Sequence, residues 1–529
     1  MLFPPYWWLH RKYDMTSITI YDGAESIGGN KIYVEENGRG VFLDFGMNFG
    51  KTGQFFSEFL QNRTNRGIND SIGLGIIPKL NIYRNDLIPA NIDASHYPSL
   101  NVEAVLLSHA HMDHCGEIGV LNEAIPLVAS PTSIAIIKGM QDTAGSSYGR
   151  DTVYFTKKEL MDNGLQFTTG GDFRCCRNFY ATTPPPDDLK EFMATKPGEK
   201  TAKKKLKAGI LASHKDLNLP FDVTAYDVDH SIFGASAYLL RGETAIAYSG
   251  DLRLHGKSGD QTKKFVKAAK EASVLIMEGT RTSRKPGDGD DESITEKSVS
   301  GTCSDAVDAA RGLVIADFAP RNFERFESFQ RIAKKTGRKL VATAKDMYMF
   351  HAMGCAGKAC RLEDLGIYYE LKDRKALKWE TEVVMGEMGD QYVTHDQIAR
   401  NPSGYILCFS LNELKNLLDI QPDGGTYIYS SCEAFSEEME FDFKRLWNWL
   451  TYMNFDVKGF AIEKKGDISK PVFDASYHAS GHASLTDLVW IIDQVDPDVI
   501  VPVHTENPAW FAEKWENTRV MKDGERFEF

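Results

Sequence analysis

The chain has 529 residues, of which 42% are hydrophobic and 26% charged, with a formal net charge of −13. It is too long for one ordinary hydrophobic core, so two or three soluble, globular domains are expected. The acidic balance excludes a protein that coats nucleic acid indiscriminately, because such binding runs on phosphate neutralisation, and no apolar stretch approaches the ~18 residues that a membrane helix requires.

In chain order, the opening "MLFPPYWWLHRKYDM" carries its basic residues after its apolar run, the reverse of a secretory signal. A strand pattern begins at Met15, which makes Met15 a candidate start and residues 1–14 an appendage. "KIYVEENGRGVFLDFG", residues 31–46, holds two β-prone runs joined at Asn37-Gly38, a hairpin signal. Further strand-like runs follow at "AVLLS", "DVTAYDVDH", "TAIAYSGD" and "SVLIMEG", with amphipathic segments such as "DQTKKFVKAAKEA" between some of them, which is an α/β pattern. The stretch from about 142 to 220 separates motif-bearing strands and reads as an insertion; its lysine cluster, Lys196 to Lys207, reads as a solvated surface segment.

After Glu278 the composition turns polar and flexible in "RTSRKPGDGDDESITEKS", a boundary loop. A second α/β pattern then begins. "GLVIADFA", "GRKLVATAK", "GYILCFS" and "GTYIYSS" read as strands, and "ERFESFQRIAKKTG" as a helix with Phe323, Phe326 and Ile332 on a core stripe. From about Lys470 the motif-bearing strands and helices return. Eight cysteines are scattered without CxxC pairing, which suits a reducing, cytoplasmic setting without disulfides.

The densest chemistry lies in "LLSHAHMDHCGEIG". His109, His111, Asp113 and His114 follow an apolar strand, and imidazole nitrogens with a carboxylate suit zinc and similar divalent ions. A dinuclear site needs ligands from elsewhere, and His230, Asp251 and His504 each end a later strand, so these residues are expected to gather along one sheet edge. Glu278 ends another strand, and His482 precedes Ser484 and Asp487, whose S-x-x-D spacing marks a helix start. Such a start favours an anion. His482 could there donate a proton to a leaving oxygen with Glu278 orienting it, while a helix cap beside a structural histidine is the plainer alternative.

"SHAHMDH", "DHS", "SGD", "EGT", "HASGHAS" and "PVHTE", in this order, resemble the motif series of the metallo-β-lactamase superfamily in its β-CASP branch, and most of all ribonuclease J. The resemblance implies an α/β fold: an αββα sandwich built from residues 15–285 and 469–529, with an α/β β-CASP domain, 286–468, inserted between the Glu278 and His482 motifs. It implies two zinc ions per chain, with manganese as an alternative: His109, His111 and His230 on one, Asp113, His114 and His504 on the other, and Asp251 bridging. Asp44 would support the ligand loop, and Asp113 would also take part in catalysis. The implied activity is hydrolysis of RNA, single-stranded for preference, as a 5′-to-3′ exonuclease, an endonuclease or both. His482 would act as proton donor, Glu278 would stand behind it, and Ser480 and Ser484 would grip a phosphate. Relatives often form homodimers. A hydrolase of small esters or thioesters on the same fold is the competing reading; the large middle segment and the Glu278/His482 pair speak against it.

Overall fold

The computed structural model describes residues 15–57, 59–144, 150–202, 205–283, 294–319, 321–358, 362, 364–372, 375–431, 437–465 and 468–529. Residues 1–14, and with them the question of Met15 as the start, lie outside it, as do residues 284–293 of the expected boundary loop.

Two sheets stack face to face. The first has eight strands in the order Leu211–Ser213, Phe179–Ala181, Leu127–Ala129, Val102–Leu106, Arg39–Leu43, Lys31–Glu36, Thr16–Asp22 and Arg526–Glu528. The second has five, in the order Asp222–Asp227, Ser236–Arg241, Ile246–Tyr248, Val274–Glu278 and Val499–Val503. Alternation builds the layers. Ile18, Ile20, Val34, Leu43 and Leu106 of the first sheet meet Tyr238, Leu240, Ile276 and Val501 of the second, each aliphatic side chain worth roughly 1.5–3 kcal/mol on burial. The alternate residues Leu239, Ala247, Leu275, Met277 and Ile500 pack under helices Gly259–Ala269 and Leu485–Val495. On the far side, Phe42, Val105 and Leu127 pack in one cluster with residues of helix Pro131–Thr143, completing an αββα sandwich. The expected hairpin is present, with Asn37 and Gly38 at φ 54° and 74° between strands Lys31–Glu36 and Arg39–Leu43.

Between Glu278 and helix Leu485–Val495 the chain builds a third sheet of seven parallel strands, ordered Tyr392–Val393, Gly366–Tyr368, Lys339–Ala342, Tyr405–Leu407, Leu313–Asp317, Gly425–Tyr429 and Phe455–Lys458. Phe323, Phe326 and Ile332 are buried on helix Phe323–Thr336, as their spacing predicts. The expected boundary loop ends earlier than its composition suggests, because Thr295 caps a helix that begins at Glu296.

The stretch read as an insertion is woven into the sandwich. Phe179–Ala181 and Leu211–Ser213 extend the first sheet in parallel, and helix Asp187–Ala194 packs on both Pro131–Thr143 and Ala344–Cys355. Three-residue strands in a polar context carry too little periodicity to be seen in sequence. Nor is its lysine cluster wholly solvated: the Lys196 side chain is only 9% exposed, 3.9 Å from Glu199.

A buried ionic network joins the middle domain to the sandwich. Arg253 donates to Glu296 at 2.9 Å, to Glu324 at 2.8 Å and to the Ser480 carbonyl at 3.1 Å, while Arg325 donates to the other oxygen of Glu296 at 3.0 Å. Burial opposes ionisation of Glu296, yet Arg325 and Arg253 hold its pKa at about 2. A depressed carboxyl stabilises the fold above its unfolded pKa, about 4.3, and that contribution is lost as pH falls toward 2. Arg253→Met strands these carboxylates and lowers stability by about 3–5 kcal/mol; denaturant unfolding at neutral pH measures the loss, and a change under 1 kcal/mol contradicts it.

Candidate metal centre

The residues singled out in the sequence converge on one edge of the sandwich, because strands Arg39–Leu43, Val102–Leu106, Ile246–Tyr248, Val274–Glu278 and Val499–Val503 all end there. Asp44 and His504 each follow a strand in the left-handed region, at φ 59° and 52°, which turns the chain sharply at that edge.

Hydrogen bonds fix the histidine tautomers from behind. Ser108 donates its N–H and hydroxyl to Asp44 at 2.6 and 2.7 Å, so its hydroxyl oxygen, 3.0 Å from His109 Nδ1, is left to accept from that ring. His114 Nδ1 donates to Asp44 at 2.7 Å, and the Tyr248 hydroxyl donates to the same oxygen at 2.6 Å. His230 Nδ1 donates to the Gly481 carbonyl at 2.5 Å. Thr280 donates its hydroxyl to Glu278 at 2.7 Å and can accept from His504 Nδ1 at 2.9 Å. In His109, His114, His230 and His504 this leaves Nε2 toward the cluster, the arrangement that orients a metal-ligating imidazole.

The inward atoms form two adjoining groups. His111 Nδ1 lies 2.9 Å from His109 Nε2 and 3.2 Å from His230 Nε2. Those spacings approach the tetrahedral edge of zinc–nitrogen ligands, about 3.3 Å for bonds of roughly 2.0–2.1 Å. Burial and the neighbouring rings push His109 and His111 well below the ordinary histidine pKa, and burial with the nearby His482 takes His230 down to about 3, so all three are neutral. The Nε2 lone pairs of His109 and His230 both face His111 Nδ1, which can offer a proton to only one of them, whereas a cation among the three satisfies all. In the second group, Asp113 Oδ2 lies 3.3 Å from His504 Nε2 and 3.9 Å from His114 Nε2. Asp251 Oδ2 stands between the groups, 3.0 Å from His114, 3.7 Å from His109, 3.9 Å from His504 and 4.0 Å from His230. Its Oδ1 is buried and has no hydrogen-bond partner among the described residues. Donor chemistry and orphaned carboxylate oxygen together fit divalent metal binding.

His482 Nδ1 sits beside the groups, 3.1 Å from Glu278 Oε1, 3.0 Å from Thr280 Oγ1 and 3.8 Å from Asp251. Burial disfavours its charged form, but Glu278 and Asp251 outweigh that and raise its pKa. Glu278 and His482 also fall within ligand range of Asp251 and His504. Ser484 caps helix Leu485–Val495 in the expected box with Asp487, and Ser480 accepts from the His482 N–H at 3.2 Å.

Sequence reasoning gave no role to Ser108, Tyr248 or Thr280. They are ordinary hydroxyl residues, and only the fold brings them behind the ligands. It also missed the brace under the loop. Phe45 N–H donates to the His114 carbonyl at 2.9 Å and Met47 N–H to the Met112 carbonyl at 2.9 Å, while a Cβ on Gly46 would come within 1.6 Å of the Asp113 carbonyl oxygen. Gly46→Ala therefore displaces Asp113, lowering stability by about 1–3 kcal/mol and bound metal with it. Thermal unfolding with elemental analysis checks both, and an unchanged metal content contradicts the bracing role.

Residues 78–174 match the metallo-beta-lactamase superfamily, a span that includes the ligand loop and the first part of the stretch read as an insertion. A ribonuclease J from Pyrococcus abyssi (strain GE5 / Orsay) is 22% identical over 508 residues, covering 93% of this chain and 90% of its own. Among solved structures, a protein of unknown function from Enterococcus faecalis V583 aligns over 97% of this chain and 100% of its own with a TM-score of 0.66 at 21% identity, a likeness of fold. No helix among the described residues is long and apolar enough to cross a membrane.

Proposed function

From a chain that is of the metallo-β-lactamase superfamily and ribonuclease J-like, we propose a metal-dependent ribonuclease that hydrolyses phosphodiester bonds in single-stranded RNA of the cytoplasm. The observation that carries the reading is the His482–Glu278–Thr280 cluster beside Asp251, because a small-ester hydrolase on this fold has no need of a second acid–base pair at the cation site.

His109, His111 and His230 would hold one ion and Asp113, His114 and His504 the other, with Asp251 between them; zinc suits the donors and manganese is the alternative. Two such ions supply charge against the phosphodiester and make hydroxide available near neutral pH. Asp44, through Ser108, keeps the imidazoles in the ligating tautomer. Asp113 orients the attacking group from the rim of the second group. Glu278 holds His482 protonated at Nδ1, and His482 hands a proton from its opposite nitrogen to the departing ribose oxygen. Ser480 and Ser484 keep hydroxyl hydrogens available to a flanking phosphate, although the Ser484 oxygen is already used as a helix cap.

Digestion of single-stranded RNAs of defined length, carrying 5′-monophosphate or 5′-triphosphate ends, tests this. Metal-dependent cleavage of RNA, with thioesters untouched, is the expected result, and product sizes separate 5′-to-3′ from internal cutting. Thioester hydrolysis without RNA cleavage overturns it.

A further inference from the structure

The middle domain meets the ligand loop across a cavity of about 510 Å³. Met112 of the loop and Met140 of helix Pro131–Thr143 form one side. The other comprises the C-terminal ends of three neighbouring parallel strands, Leu313–Asp317, Tyr405–Leu407 and Lys339–Ala342, with Ala316, Cys408 and Thr343 on the wall. The chain runs from the first of these strands to the third and only later fills the gap between them, so the cavity lies where an open α/β sheet places its ligand.

Arg321 stands on this wall with backbone φ 88°, a region that arginine seldom occupies and that persists where the surroundings impose it. Its Nη1 lies 3.2 Å from the sulfur of Met140, a weak acceptor. Its Nε is buried without a hydrogen-bond partner, and no carboxylate pairs with it among the described residues. Arg253 and Arg325, buried where the middle domain meets the sandwich, are by contrast paired with carboxylates. Arg321 shares this cavity with Met112, which stands between the ligand-loop residues His111 and Asp113. A guanidinium fork held this way, on a wall that adjoins the ligand loop, matches the geometry of a phosphate. Phe318 lines the same wall, one ring face stacked 5.4 Å from Phe329, and offers a platform for a base.

We infer that Arg321 grips a backbone phosphate of the RNA strand where it passes between this cavity and the cation site, an assignment that rests on the nuclease reading. The test uses the full chain loaded with zinc and carrying His482→Ala, so that RNA is bound but not cut. Fluorescence anisotropy with a labelled single-stranded RNA is recorded across a salt series, with and without Arg321→Gln. The glutamine variant is expected to bind roughly tenfold more weakly, and the slope of log affinity against log salt to fall by about 0.7, one phosphate contact on a single strand. Arg321→Lys is expected to keep the slope and lose part of the affinity. Equal zinc content and melting temperature in all variants separate this result from misfolding.

Wild-type affinity and slope in Arg321→Gln overturn the inference. If that variant instead loses affinity for inorganic phosphate or a free mononucleotide while RNA binding is unchanged, the cavity serves a small anion and the inference is likewise overturned. Should the parent protein bind no RNA at all, the nuclease reading fails first; cleavage of RNA by the unmodified chain with no effect of Arg321→Gln sinks the Arg321 assignment alone.

Discussion

Replacing His482 by alanine leaves the bound ions in place and lowers RNA cleavage by about 10²–10⁴-fold, the range that a positioned acid or base contributes. The imidazole is tied at Nδ1 to Glu278 and Thr280, and its side chain is 20% exposed whereas those of His109, His114, His230 and His504 are at most 1% exposed. Of the site histidines only His482 and His111 are more than marginally exposed, and the carboxylate paired with His482 favours the proton it must give. The rival role is ligation, since Glu278 and His482 lie within reach of Asp251 and His504. Elemental analysis decides between them: an ion lost with the His482 side chain makes it a ligand and removes the proton donor from the mechanism.

Asp251→Ala has the larger effect on the ions themselves. One carboxylate oxygen of Asp251 stands within 4.0 Å of His109, His114, His230 and His504, so a single substitution withdraws a shared anionic donor from both groups. The variant is expected to retain less than one ion per chain and no measurable cleavage, with circular dichroism unchanged. Two ions retained at wild-type affinity contradict a bridging Asp251.

Much of the site was legible because metal chemistry concentrates unusual residues. Three histidines and an aspartate within residues 109–114 are a density that a chance polar loop seldom reaches, and His230, Asp251, Glu278 and His504 each stand just beyond an apolar run that the sandwich buries. Strands such as Val274–Glu278, whose residues are buried throughout, were visible as apolar runs, while their arrangement as a sandwich was implied by the family resemblance. What stayed hidden depends on contacts distant in sequence. Thr280 matters because it touches Glu278, His482 and His504 at once, and Arg321 because the fold leaves its guanidinium without a carboxylate among the described residues. The short edge strands Phe179–Ala181 and Leu211–Ser213 are specified by the strand Leu127–Ala129 they extend, not by any pattern of their own.

Diffraction from zinc-loaded crystals, collected at the zinc absorption edge, bears most directly on the proposed centre. Two anomalous peaks are expected, one among His109, His111 and His230 and one among Asp113, His114 and His504, with Asp251 touching both. Full loading with no peak in either group, or with zinc held elsewhere on the chain, contradicts a dinuclear site and the hydrolytic mechanism built on it.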